Sequence, residues 1–202
     1  NFATQNRAVT KQDYEALIYQ MPPKFGAVKR ANIVNDPSST NRMISLYIIS
    51  QDNKGYLATT SQVIKNNIKN YLNHYIPIND SVMIKDAFIV NFGIEFIVLN
   101  DKDYDSDSVL FACHKAVKAY FSEVMYIGEP LYLTPIYEVL NNVDGVYDVK
   151  RVKAFPTYGG VYNAVDFNFT SAVSKDGTYY KMPKNVILEL KFPNNDIKGT
   201  VK

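Results

Sequence analysis

The chain has 202 residues, enough for one domain or two small ones. Apolar residues make up 47% and charged residues 21%, as in an ordinary globular protein, and no apolar run approaches the roughly 20 residues of a membrane span. A net charge of +2 gives no basis for strong binding to nucleic acid or acidic lipid, and the single cysteine, Cys113, excludes an internal disulfide and indicates a reducing compartment.

The first predicted element is a helix that begins after Thr10 and stops at Pro22. Thr10 is the predicted N-cap, with Asp13 in the position that completes a capping box. Val9 and Tyr14 occupy the positions of a hydrophobic staple. Apolar residues behind them recur at helical spacing and predict one buried face: Tyr14, Leu17, Ile18 and Met21.

Two segments rich in β-branched residues, 27–34 and 43–50, flank a turn-rich stretch and predict a β-hairpin. A second helix follows, with Thr59 and Gln62 as a possible capping box and Pro77 as its end. The apolar run 82–100 is too long for one typical strand, so a bend or bulge is predicted at Gly93.

A third helix is predicted from about Asp107 to Val124, and a fourth with Thr134 as N-cap and Pro135 at its first position. A strand through 146–152 and a last strand over 185–192 complete the pattern.

This order of helices and strands predicts an α+β fold with antiparallel or mixed sheets covered by helices, arranged as two small ferredoxin-like units in tandem. The first unit would span 1–80 (α-β-β-α) and the second 81–155 (β-β-α-α-β). Residues 156–202 would form a C-terminal extension with a final strand.

The segment "DKDYDSDS", 101–108, places aspartates at alternate positions and superficially resembles a calcium loop. Ser106 and Ala112 stand where an EF-hand needs glycine and glutamate, so helix capping by Asp105 or Asp107 is the favoured interpretation. No metal site and no cofactor are predicted.

Catalytic chemistry has little support. Cys113 and His114 are neighbours on a predicted helix and do not face each other, and Cys113 lies on the apolar stripe. His74 is favoured as a charge at a helix end. A cell-wall hydrolase would need paired carboxylates, and the available glutamates stand in no distinctive context: Glu15, Glu95, Glu123, Glu129, Glu138 and Glu189.

The strand "NFGIEFIV", 91–98, offers an alternative as a nucleic-acid-binding module. Phe92, Gly93 and Phe96 resemble an aromatic RNA-recognition strand, but Asn91 replaces the basic residue and Glu95 lies in the middle. Core packing is the favoured interpretation.

Two stretches carry a family resemblance. "NRAVTKQDYEALIYQMPPKFGAVKRANIV" and "IGEPLYLTPIYEVLNNVDGVYDVKRV" resemble the Baseplate-J-like family over residues 6–152, and the tail "PKNVILELKFPNNDIKGTVK" resembles the end of wedge subunits from T-even-type contractile phages. The chain lacks an initiator methionine, so it is expected to be the C-terminal part of a longer subunit.

The resemblance implies a non-enzymatic structural component of a contractile tail baseplate, located in the virion and made in the host cytoplasm. Implied partners are a second copy, as a homodimer within a sixfold ring, and other baseplate wedge proteins; neither nucleic acid nor membrane is expected. Aromatic residues of the extension either line these contacts or cover the chain's own core: Tyr158, Tyr162, Phe167, Phe169, Tyr179 and Tyr180.

Overall fold

The computed structural model describes residues 8, 10–35, 42–76 and 80–202. The chain is an α+β protein with mixed sheets and helices packed against them, which confirms the predicted fold class. It divides into two compact units, Asn1–Phe88 and Ile89–Lys202. No helix among the described residues combines the length and apolarity needed to cross a membrane.

The first unit is built around one central strand, β2, which pairs antiparallel with β1 and with the short β3, and parallel with β4. Its elements are α1 (Lys11–Gln20), β1 (Arg30–Asn35), β2 (Arg42–Gln51), β3 (Leu57–Ala58), α2 (Gln62–Leu72) and β4 (Asp80–Asp86).

The core of this unit joins the two helices to the sheet. Tyr14 and Ile18 of α1 and Ile68 and Leu72 of α2 are buried together with Leu46 and other residues of β2. The predicted helical stripes therefore do what their spacing requires, which is to remove one face of each helix from water.

The local structure predicted for this unit is confirmed in part. The Thr10–Asp13 capping box is confirmed, because the amide of Asp13 donates to Thr10 Oγ1 (3.2 Å) and the amide of Thr10 donates to Asp13 Oδ2 (2.8 Å). The hairpin pairing of β1 with β2 is also confirmed. The residues Val9 and Pro77 lie outside the described part of the chain. The helix α2 ends at Leu72, so the prediction that it continues to Pro77 was wrong.

The predicted cap of the second helix was wrong. Ser61, and not Thr59, caps α2 by accepting the amide of Ile64 at 3.4 Å. Next to this cap, the backbone amide of Thr60 donates to Asp86 Oδ1 at 3.0 Å. Lys65 of α2 forms an ion pair with the same carboxylate. Asp86 therefore fixes the entrance of α2 against the end of β4.

The second unit is also built around one long strand, β5, which pairs with β7, β9 and β10. Its elements are β5 (Phe88–Asn100), α3 (Ser106–Tyr120), β6 (Leu131–Tyr132), α4 (Thr134–Asn141), β7 (Val146–Pro156), α5 (Phe169–Ala172), β8 (Tyr179–Tyr180), β9 (Val186–Glu189), α6 (Pro193–Asp196) and β10 (Ile197–Val201).

The sheet of this unit is mixed, with β7 antiparallel and β10 parallel to β5. The helices α3 and α4 pack on one face, where alternate residues of β5 such as Phe92, Ile94 and Phe96 are fully buried. Residues 156–202, predicted as an extension, supply β8, β9 and β10, and Phe169, Tyr180 and Ile197 belong to the same core.

The predicted bend at Gly93 was wrong. The strand break falls at Ala87, whose amide donates to the carbonyl of Ile48 at 3.0 Å, and Gly93 lies inside β5. A Cβ at Gly93 would come within 2.5 Å of the carbonyl oxygen of Asp196 and closer still to the ring of Phe155. Glycine is therefore required by close packing across the sheet, and not by a turn.

The predicted ends of the two long helices of the second unit are confirmed only in part. Asp105 caps α3, as predicted, by accepting the amide of Ser108 at 2.9 Å. The helix ends at Tyr120, four residues before the predicted Val124. In α4, Thr134 is the first helical residue and Leu133 occupies the cap without a side-chain bond, so the predicted Thr134 cap was wrong by one position.

Tyrosine hydroxyls close the outer edges of both sheets. The edge strand β1 donates the amide of Ala31 to the hydroxyl of Tyr19 at 3.0 Å. The edge strand β7 donates the amide of Val152 to Tyr137 at 3.0 Å and the amide of Ala154 to Tyr180 at 3.2 Å. These amides would otherwise be available for pairing with another chain, so each hydroxyl protects a sheet edge.

We predict that Gly93→Ala destabilises the protein by about 1–3 kcal/mol, because the added methyl group overpacks the contact with Phe155 and the Asp196 carbonyl. Urea unfolding measures the change. Gly55→Ala is the control: its φ is +85° but no atom lies within 4 Å of the new methyl group, so only backbone strain of about 1–2 kcal/mol is expected. Phe155→Ala should relieve the part of the Gly93→Ala cost that comes from the ring, while the contact with the Asp196 carbonyl remains. A double variant as unstable as the sum of the two single variants would contradict the packing argument against Phe155.

We also predict that Tyr137→Phe and Tyr180→Phe accelerate hydrogen exchange at the amides of Val152 and Ala154, respectively. Each change removes the acceptor of one edge amide at a cost of about 1–3 kcal/mol. Amide exchange followed by NMR reports each position separately. Tyr132→Phe is the control, and unchanged exchange at Val152 and Ala154 in the two test variants would refute the edge-closing role.

Candidate interaction surface

The residues with catalytic potential lie in structural positions. The Cys113 thiol is fully buried in the core of the second unit, as predicted, and burial raises its pKa to about 11. The His114 ring packs edge-on against Phe96 with centroids 5.6 Å apart, and burial lowers its pKa. A thiol this difficult to ionise is a poor nucleophile at neutral pH.

The acidic loop, residues 101–107, is organised by its connection to α3. The carboxylate of Asp105 accepts both the amide and the hydroxyl of Ser108, and these hydrogen bonds lower its pKa. Asp101, Asp103 and Asp107 are exposed. No group of three or more His, Cys, Asp or Glu side chains is arranged to hold a metal ion in the part of the chain that the structure describes.

The glutamates considered for hydrolysis lie in separate local contacts. Glu95 pairs with Arg151 at 3.3 Å, Glu15 pairs with Lys11 at 3.6 Å, and Glu129 accepts the amide of Tyr126 at 2.7 Å. None of these contacts joins two carboxylates.

The favoured interpretation of 91–98 as core packing is confirmed, and the alternative of an RNA-binding strand is contradicted. Phe92 and Phe96 are both fully buried, and the Phe92 ring packs against Phe121 and Phe169 with centroids 5.6 Å and 6.4 Å apart. Base stacking requires exposed rings, and these rings form the core under the helices.

The six aromatic residues singled out as contact residues occupy different environments. Phe169 and Tyr180 are buried, Phe167 packs on the same core, and the hydroxyl of Tyr162 is held by Asp196. The remaining two are less enclosed: Tyr158 is 54% exposed, and Tyr179 is half-buried and pairs at 5.5 Å with Tyr132, which is 48% exposed.

A buried polar network that the sequence did not reveal holds the loop 157–163. Asn91, fully buried in β5, donates to Glu189 Oε2 at 2.8 Å and accepts the amide and side chain of Asn163 at 2.7 and 2.8 Å. The carbonyl of Asn91 also accepts the amide of Thr157 at 3.2 Å. The sequence signal for this network is an asparagine between apolar residues of a strand, because a buried side-chain amide needs hydrogen-bond partners.

Asp196 holds the same loop at a second point, and only 2% of this residue is exposed. The hydroxyl of Tyr162 donates to Asp196 Oδ1 at 2.6 Å, and the amide of Phe192 donates to Oδ2 at 2.9 Å. Burial and the adjacent carboxylate raise the pKa of Tyr162 to about 12. The loop is thus part of the folded unit and presents Tyr158 and Val161 to solvent.

An apolar groove of about 340 Å³ runs beside the edge strand β7. Its lining is mainly apolar and includes two cations: Leu133, Val152, Ala154, Phe169, Val173 and Tyr180, with Arg151, Lys153, Thr170 and Gly177. The groove is therefore suited to a ligand that carries an apolar group and, beside it, a negative charge.

The sheet face opposite the helices is charged. Strand register places Lys198, Glu95 and Lys153 in one row across β10, β5 and β7, with Arg151 two residues along β7. We call these four residues the basic row. The Lys198 ammonium lies 4.6 Å from the centroid of the Phe155 ring, and the exposed Arg151 pairs with Glu95.

The comparisons with known proteins give a similarity of fold. No protein-family model matches the chain, and no curated protein matches its sequence. A chain in the cryo-EM structure of the anti-feeding prophage (AFP) baseplate, 6-fold symmetrised, matches with a TM-score of 0.54 and 12% sequence identity. The match covers 92% of this chain and 38% of that chain, so the chain spans well under half the length of its structural neighbour.

We predict that Tyr162→Phe lowers stability at pH 8 and that its difference from the wild type narrows between about pH 10 and about pH 12. The hydroxyl keeps its proton in the folded chain up to a pKa of about 12, against an ordinary value of 10.0, so its stabilisation is complete below pH 10 and is lost as the pH rises. Urea unfolding at several alkaline pH values gives the difference directly. Tyr158→Phe removes an exposed hydroxyl from the same loop as a control, and a constant Tyr162→Phe difference across this range would refute the Tyr162–Asp196 assignment.

Proposed function

We propose that the chain is part of a structural, non-enzymatic subunit of a contractile tail baseplate. The observation that carries the proposal is the fold match to a baseplate chain across 92% of the residues. In this proposal the subunit is located in the virion at the tail baseplate and is synthesised in the host cytoplasm.

The finer assignment comes from the sequence. The segments around "NRAVTKQDYEAL" and "IGEPLYLTPIYEVLNN" resemble the Baseplate-J-like family, and the C-terminal segment resembles T-even-type wedge subunits. We therefore propose a wedge position, with self-association as a homodimer within a sixfold ring and with other wedge proteins as further partners. A fold shared at 12% identity supports this indirectly, since one architecture can serve several functions.

The distribution of chemical groups agrees with a structural role. Cys113 is buried, the aspartate loop caps α3, and the observed contacts of Glu15, Glu95 and Glu129 are to cations or backbone. The accessible features are instead surfaces suited to contact: a tyrosine pair, an apolar groove and a charged sheet face.

The test is to stop translation of the coding sequence in the phage or tail-particle locus that carries it and to image the particles by electron microscopy. We expect tails without assembled baseplates, with normal particles restored when the intact coding sequence is supplied in trans. Gold-labelled antibody against the chain should bind at the tail base of restored particles. Particles that assemble complete baseplates without the chain would refute the proposal.

A further inference from the structure

The basic row is an unbalanced charged surface. Lys198, Lys153 and Arg151 carry three positive charges around the single carboxylate of Glu95, and Arg151 already pairs with that carboxylate. Side chains of Lys153, Lys198 and Arg151 are exposed. The row therefore leaves about two positive charges on a sheet face that the helices do not cover.

The groove adds apolar area beside the same cations. The exposed Arg151 and Lys153 are among its lining residues, together with the apolar Val173 and Phe169. A partner that fits this surface has carboxylates for the row and an apolar group for the groove.

The acidic loop of the same chain has this chemistry. Asp101, Asp103, Asp105 and Asp107 outnumber Lys102, and residues 101–108 are all exposed. Between Asp103 and Asp105 stands Tyr104, which is 48% exposed. The loop is also rigidly presented, because Asp105 caps α3 and the amide of Asp101 donates to the carbonyl of Gly145 at 2.8 Å.

We propose that the basic row of one copy docks the acidic loop of a second copy. The inference rests on the proposed self-association and names the surfaces that carry it. None of the ion pairs between described residues joins the loop to the row within one chain, so both surfaces are available to a second chain. The row and the loop are different surfaces of the same chain. Two copies can each place their loop on the other's row, which gives a closed pair, or each copy can bind the next one in the same direction, which gives a ring.

Electrostatic contact between exposed surfaces is weakened by salt. We expect the wild-type chain to self-associate in sedimentation-velocity experiments, with the apparent Kd rising about tenfold or more between about 50 and about 300 mM NaCl. The sedimenting mass distinguishes a closed pair from a longer assembly.

Charge inversion tests the two surfaces separately. The row variant K198E/E95K/K153E/R151E reverses the sign of the row while it keeps opposite charges facing each other across the strands. The loop variant D103K/D107K reverses the loop and leaves the capping residue Asp105 in place. Each variant alone should weaken self-association about tenfold or more at low salt, and the two together should restore it.

The control is K54E/K69E, which changes the total charge by the same amount as the row variant at exposed positions of the first unit. It should leave self-association unchanged, and circular dichroism melting should show that all variants are folded. A monomeric wild type, inversion variants that associate like the wild type, or a combined variant that stays dissociated would each overturn the inference. A monomeric wild type would also overturn the proposed homodimer, whereas the other two results would remove only the surfaces named here. The position in the baseplate is decided separately, by the imaged particles.

Discussion

The strand β5 imposes the constraint on which the second unit depends, because its residues 89–94 are buried on both faces. Val90, Phe92 and Ile94 face the helices, while Asn91 and Gly93 lie on the opposite face and are equally inaccessible. A doubly covered strand must satisfy every polar group inside the fold and must fit its neighbours without voids. The loop 157–163 and the positions of β9 and α6 follow from these two requirements, since they supply the partners of Asn91 and the wall against Gly93.

The abundance of tyrosine has a structural explanation in this fold. There are 16 tyrosines, and three of them close sheet edges through their hydroxyls, from α1, α4 and β8. A ring that packs on apolar surface can deliver a hydroxyl to a backbone amide that phenylalanine would leave without an acceptor. Composition alone cannot separate this role from contact with other proteins, because both use a ring with an apolar body and a polar end.

The local elements that could be predicted from sequence are ones whose determining groups lie close together in the chain, although the caps of α2 and α4 were each predicted at the wrong residue. The Thr10–Asp13 box and the Asp105 cap are of this kind, and the hairpin of β1 and β2 follows from two neighbouring runs of β-branched residues. Gly93 was misread because its requirement is set by Asp196, about a hundred residues away in the chain.

The basic row also could not be predicted from sequence, because it depends on residues that are distant in the chain. The row Lys198, Glu95 and Lys153 exists only because β10 returns parallel to β5 and β7 returns antiparallel to it, and periodicity within each strand does not specify that register. The strand 91–98 resembled an RNA-binding strand because its pattern of aromatic residues is the same whether the rings face solvent or helices. The position of α3 and α4 decides between these outcomes.

Because Cys113 is buried, the reactivity of its thiol reports whether the core of the second unit is closed. Cys113 is the chain's single cysteine, and it is enclosed between β5 and the helices, where a water-soluble thiol reagent cannot reach it in the closed fold. Chemical labelling of this sulfur therefore requires the core to open, so a colour reaction with a thiol reagent follows the opening of the second unit without any substitution in the chain.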